Sequence, residues 1–510
     1  MVWRFALMAC ALGAFSVVPA PALAGDLPTA ADLLAKVKAA TGARPPSYEE
    51  HVTTTTPGSV TRSTILRSGE DRRDIDDSGP LHSESGRFQK QAWEQNENGQ
   101  TYLEQPPPSD EPGGPDDRDS NPAGMTVSRV AAPIDAFVLS RTNADGIAVK
   151  LYVDPSSYHI VRREAVRGKE TVVTIFDDFR TTGGYTRAWH RTIRDGRPED
   201  DEEDRVESFV ARPIADTELA IPGPRRRLVQ FPAGKTSVDL PARLEDDSWV
   251  VRVTIAGRDY DFGLDSGSSG ITIDDATAKR LGLQAVSHFV NTANAGRYKS
   301  STIIVPAMSI GDLRMTDVVV DTVPTFEAGP TVKIAGLIGF DFIAELALQL
   351  DYQNGIARAL PGGTNVIGGS NAITLDIRLR HGIPETTLIV NGQRGDRFVL
   401  DTGAEAALFI GYAFAHDHPK AIVDRGGGSY ERYWDYSGIG GYIDAKPVQL
   451  ALVELGPLHF IDFVGHVIRE RTQYSDLGDG LIGARMLSHF TVWLDYANSH
   501  VVLIPNKPAG

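Results

Sequence analysis

One pattern constrains this chain more than any other. A hydrophobic run ends in Asp265-Ser266-Gly267, and a second ends 136 residues later in Asp401-Thr402-Gly403. The match extends beyond the triplets. Gly257 and Gly392 precede them at nearly the same distance, and Gly336-Leu337-Ile338-Gly339 is answered by Gly480-Leu481-Ile482-Gly483. Leu350-Asp351-Tyr352 and Leu494-Asp495-Tyr496 keep the same offset of 144 residues. A third triplet, Asp77-Ser78-Gly79, serves as a control: it follows Arg72-Arg73-Asp74 rather than an apolar run, so it reads as an ordinary turn. The C-terminal half therefore reads as two copies of one unit, each able to deliver one carboxylate to a shared site.

The pattern resembles the retropepsin-like and pepsin-like aspartic peptidases over roughly residues 236–507. In that family each lobe carries Asp-Ser/Thr-Gly after a strand and an apolar-apolar-Gly segment beneath it. The resemblance implies a mainly β, bilobal C-terminal fold made of two fused, retropepsin-sized lobes. It also implies Asp265 and Asp401 as the catalytic pair. Two carboxylates about 3 Å apart cannot both ionise, so the pair holds one proton and presents an acid beside a base. Such a pair can activate a water against a peptide carbonyl without a metal, a cofactor or a covalent intermediate.

Gly267 and Gly403 suit a tight turn in which the backbone approaches its partner lobe. By the same resemblance, the hydroxyls of Ser266 and Thr402 hydrogen-bond across the lobe junction. Ser268 stands where the family often has a hydroxyl, and Ala404 takes the matching place in the second copy. The resemblance also calls for a Gly-rich hairpin flap over the cleft, and Gly438-Ile439-Gly440-Gly441-Tyr442 is the candidate substrate-binding flap. The first-copy equivalent, Asn294-Ala295-Gly296-Arg297-Tyr298, is poorer in glycine.

The N-terminus reads as an export leader over residues 1–24, with Arg4, an apolar stretch from Phe5 to Val18, and Ala22-Leu23-Ala24 before a cut at Gly25. Cys10 is the only cysteine, so a processed chain has no disulfide, thiol nucleophile or cysteine zinc site. These features favour a periplasmic location, with secretion as the alternative. A formal net charge of -16 argues against a protein that tracks nucleic-acid phosphates. No transmembrane segment is expected after processing.

Residues 25–225 read as a separate α+β domain. Thr29 with Asp32 can cap a helix that Gly42 ends. Strands are expected around 148–153, 158–166, 170–179 and 186–193, separated by turn signals. A helix on an antiparallel sheet is similar to periplasmic lipoprotein-carrier domains, which form an open half-barrel. That likeness implies two occupants for the sheet, an apolar ligand or the catalytic lobes themselves. The Pro-rich insert from Glu104 to Pro122 is expected to be a loop. An exposed linker is expected over 226–235, next to Pro222-Gly223-Pro224-Arg225, and the lobes are expected at 236–365 and 366–510. His416-Asp417-His418 has the look of a metal tract, but no third ligand follows by spacing, so no metal is assigned. The leading expectation is an exported aspartic endopeptidase acting on peptides or proteins. Its rivals are a non-catalytic peptide-binding or scaffold protein of the same fold and a carrier dominated by its N-terminal domain.

Overall fold

The computed structural model describes residues 27–104, 122–142, 147–167, 170–293, 296–324, 333–366, 369–422, 434–438, 441–468 and 478–507. The expected leader and most of the Pro-rich insert lie outside these residues. The chain is mainly β. Among the described residues no helix is long and apolar enough to cross a membrane.

The first part of the chain forms one antiparallel sheet of 13 strands. In order they are Thr101–Glu104, Gln91–Gln95, Leu81–Phe88, Asp71–Ser78, Ser59–Ser68, Ser47–Thr56, Glu202–Val210, Tyr185–Arg194, Glu170–Thr182, Ile160–Arg167, Ala148–Val153, Ala136–Thr142 and Thr126–Val130. The helix Ala30–Thr41 begins at Thr29, whose hydroxyl caps Asp32 N–H, and ends at Gly42 in the left-handed region. Its Leu33 is fully buried against Leu139, Val149, Leu151 and Val153. Asp77 and Ser78 close a strand and Gly79 turns it at φ 61, as an ordinary hairpin needs.

Five strands between 47 and 95 escape an apolar-alternation reading, because charge rather than hydrocarbon fills much of their interior. Arg73 pairs with Glu84 at 2.6 Å and Arg187 with Glu50 at 2.6 Å, while Arg191 pairs with Asp204. All three carboxylates are buried. A buried carboxylate is tolerable when a guanidinium meets it with good geometry.

Two eight-stranded sheets follow, with the same strand order. The Asp265 sheet runs Ala242–Glu245, Ser248–Ile255, Arg258–Leu264, Gly336–Ile338, Thr272–Asp274, Leu313–Val323, Gly296–Ile310, Ala285–Ala293. The Asp401 sheet runs Arg378–Arg380, Ile383–Val390, Gln393–Asp401, Gly480–Gly483, Leu408–Ile410, Leu458–Ile468, Gly441–Leu455, Trp434–Gly438. A six-stranded sheet joins them through Leu346–Asp351 paired antiparallel with Phe490–Asp495. One apolar core, including fully buried Trp249, Phe262, Phe340, Phe342 and Phe398, runs through all three sheets.

The 226–235 stretch departs from the expected exposed linker. Leu228 and Val229 are buried in that core, and Gln230 bridges Arg314 through paired backbone hydrogen bonds. Arg225 donates to the carbonyls of His82 and Asn96, and Arg226 donates to those of Asn98, Thr316 and Asp317. Arginine side chains have enough donors to satisfy several backbone carbonyls at once, and here they fasten the sheets together.

Candidate active site

Asp265 follows the strand Arg258–Leu264 and Asp401 ends the strand Gln393–Asp401, and each strand pairs in parallel with its Gly-Leu-Ile segment. Asp265 N–H donates to Ile338 O at 2.9 Å, and Asp401 lies opposite Gly483 in the ladder. The final glycine of each segment makes this crossing possible. A Cβ on Gly339 would sit 2.4 Å from the carbonyl oxygens of Ser268 and Gly270, and one on Gly483 would sit 2.1 Å from that of Ala406. Phe340 N–H then donates to Ser268 O, and Ala484 N–H to Ala404 O.

The two turns interlock. Ser266 Oγ donates to Leu400 O at 2.7 Å, and Thr402 Oγ1 donates to Leu264 O at 2.9 Å. Each hydroxyl also accepts the other residue's backbone N–H, at 2.9 and 3.0 Å. Both side chains are buried. Four hydrogen bonds shielded from water therefore fix the relative position of the turns.

That interlock brings the carboxyl groups together. A Cβ on Gly267 would be 2.6 Å from Asp401 Cγ, and one on Gly403 would be 2.5 Å from Asp265 Cγ. The carboxyl of each aspartate thus lies against the turn of the other, where one proton can bridge the pair. Burial, the charge of Asp401 and that shared proton hold the Asp265 carboxyl well above the usual carboxylate range. Burial also raises Asp401, but the shared proton and the N–H groups of Gly403 and Ala404 oppose the rise. Asp265 Oδ1 accepts the N–H of Gly267 at 2.8 Å, whereas Asp401 Oδ1 accepts Gly403 and Ala404 at 2.9 and 3.1 Å. The extra donor favours charge on Asp401 and the shared proton on Asp265, although the pair titrates as a unit. Ser268 Oγ points elsewhere and donates to Gly270 O.

The flap candidate is only partly within the described residues. Gly438 and Gly441 pair across a hairpin, while Ile439 and Gly440 lie outside them. Tyr442 lies in the strand Gly441–Leu455. In the Asp265 sheet, Ala293 pairs with Gly296 in the corresponding hairpin. His416 and Asp417 sit exposed at the end of the helix Tyr412–Asp417. Asp351 and Asp495 cap turns by accepting from Asn354 and Asn498.

Three features were not legible in advance. Tyr496 is buried, and burial and the charges of the two aspartates raise its hydroxyl well above the usual range. Asp341, two residues past Gly339, accepts Ile271 N–H at 2.9 Å and Asn96 Nδ2 at 2.8 Å, linking the turn after Asp265 to the N-terminal sheet. Burial pushes its carboxyl up to about 7. Glu94, Glu104 and His381 gather ligand atoms within 4.8 Å of one another where the N-terminal sheet meets the Asp401 sheet. Spacing in the sequence gave no sign of this group, because its members are brought together only by packing.

Residues 251–342 match the family model described as Aspartyl protease, which establishes an aspartyl-protease-like region around Asp265. No curated protein matches the chain. Among solved structures, Basic 7S globulin from soybean is 10% identical with a TM-score of 0.32, covering 53% of this chain and 95% of that one. A LolA superfamily protein from Nitrosomonas europaea is 12% identical with a TM-score of 0.28, covering 38% of this chain and 98% of that one. Both likenesses are too loose to carry an argument about function.

Proposed function

We propose that this chain is an aspartic endopeptidase whose dyad is Asp265 and Asp401, supplied by two duplicated lobes. The observation that carries the proposal is the pair of carboxyls, each set against the other's turn by the interlock of Ser266 and Thr402. In the singly protonated pair, ionised Asp401 takes a proton from a water held between the carboxyls as that water attacks a peptide carbonyl. Protonated Asp265 donates to the carbonyl oxygen. Asp401 then gives its new proton to the leaving nitrogen as the C–N bond breaks, Asp265 recovers a proton from a hydroxyl of the tetrahedral intermediate, and both aspartates are back in their starting state. The two hairpins form the walls over an extended substrate. The leader-like residues before Gly25 support an exported, most simply periplasmic, site of action.

The test is cleavage of a mixed peptide library by the chain lacking its leader, from about pH 3 to pH 7, beside Asp265→Asn and Asp401→Asn. The expected result is cleavage that falls as pH rises through the titration of the pair and that both substitutions abolish. Peptide binding without cleavage at any pH would overturn the proposal in favour of a binding protein of the same fold.

A further inference from the structure

The hairpin of the Asp265 sheet, Ala285–Ala293 with Gly296–Ile310, touches the N-terminal sheet at two places. One is an ionic cluster. Asp195 accepts the backbone N–H and the guanidinium of Arg197, and Arg197 Nε also reaches Asp200 Oδ2 at 3.1 Å. These three residues leave one negative charge unbalanced. Arg297 of the hairpin supplies the matching cation, with Nη2 2.5 Å from Asp200 Oδ2 and Nη1 3.7 Å from Asp195 Oδ2. The Arg297 side chain is 19% exposed and both aspartates are 15% exposed, so water screens the cluster poorly. The second contact is backbone on backbone. His288 N–H donates to Gly58 O at 3.3 Å, and a Cβ on Gly58 would sit 2.5 Å from His288 O.

Arg297 is one residue past Gly296, which pairs with Ala293 at the end of the described ladder. A grip there restrains the far end of the hairpin rather than its base. The long strand Gly296–Ile310 also contacts Gly441–Leu455, the corresponding strand of the Asp401 sheet.

We infer that the N-terminal sheet is a fixed anchor for this hairpin, and that Arg297 is a positioning residue holding one wall of the substrate cleft through Asp195 and Asp200. What the hairpin covers rests on the peptidase reading above; the anchoring itself does not. An anchored wall is already ordered before substrate arrives, so less ordering entropy is lost on binding. Losing the anchor transfers that cost to substrate binding, which raises KM while the dyad's chemistry is unchanged.

The experiment places spin labels at Lys299→Cys on the hairpin and Arg258→Cys on the body of the same sheet, in a Cys10→Ser background, and measures their distance distribution. Arg297→Met and Gly58→Ala are each expected to broaden it, and Arg297→Lys is expected to retain most of the narrow distribution. Peptide cleavage by the same variants without labels is expected to show KM raised roughly three- to tenfold, with kcat within about twofold. Unchanged distances in both Arg297→Met and Gly58→Ala would overturn the anchor. Broadened distances with unmoved KM would overturn the positioning role. Broadened distances in a chain that cleaves nothing would support the anchor and sink the peptidase reading instead.

Discussion

The Asp265 and Asp401 sheets share a strand order and an interlock, yet they differ where the rest of the molecule touches them. Two residues past the final glycine of Gly-Leu-Ile-Gly, the first has Asp341 and the second has Arg485. Asp341 is buried, held by Ile271 N–H and by Asn96, while Gln100 donates to its backbone carbonyl. Arg485 is exposed. Residues that build the shared centre remain matched on the two sides. Residues that face outward diverge, because the N-terminal sheet docks on the Asp265 side with its Asn96–Gln100 turn.

The comparison can be broken most sharply at its symmetric centre. Asp265→Asn and Asp401→Asn should each lower kcat/KM by on the order of 10³-fold or more, since acid and base act as one unit. A large loss at only one of them would end the equivalence. Gly267→Ala and Gly403→Ala come next. Each places a methyl within 2.6 Å of the opposing carboxyl, so either one should cost on the order of 100-fold in kcat by separating the pair.

The asymmetric positions sharpen the contrast through stability. Asp341→Ala strands Ile271 N–H and removes one of the two acceptors of the Asn96 amide, so it should lower unfolding free energy by about 1–3 kcal/mol in urea titrations. Arg485→Ala should change it by less than about 0.5 kcal/mol. A pH scan gives a smaller effect. The Asp341 carboxyl rises from 3.8 to about 7 on folding, so between those values the folded chain binds more protons than the unfolded one. Stability should therefore fall as pH rises across that window, and the fall should be shallower in Asp341→Asn when thermal midpoints are compared.

How much of this was legible in the sequence follows from what kind of constraint each part obeys. The facing turns of Asp265 and Asp401 and their Gly-Leu-Ile-Gly supports could be read because a crossing backbone tolerates no side chain, which fixes residue types at fixed offsets. The strands at 148–153, 160–167, 170–182 and 185–194 were visible through their turns and apolar content. Those between 47 and 95 were not, since Glu50 and Glu84 are buried against arginines and leave little apolar alternation to detect. Arg225 and Arg226 looked like linker residues because the carbonyls they meet belong to segments more than 85 residues away in sequence. Asn96, Asn98 and Gln100 were silent for the same reason: a polar turn declares its partners only after packing.

The interlock of Ser266 and Thr402 has a consequence for the order in which the chain acquires its chemistry. Its bonds span 134 to 138 residues, so they rank among contacts that close late, after the loop entropy between them has been overcome. During synthesis, Asp265 and the whole N-terminal sheet emerge before Asp401 exists. A growing chain thus carries one of the two carboxyls without its partner. The paired centre arises only when both halves are present and correctly seated, so completion of folding itself sets the moment at which the proposed chemistry becomes possible.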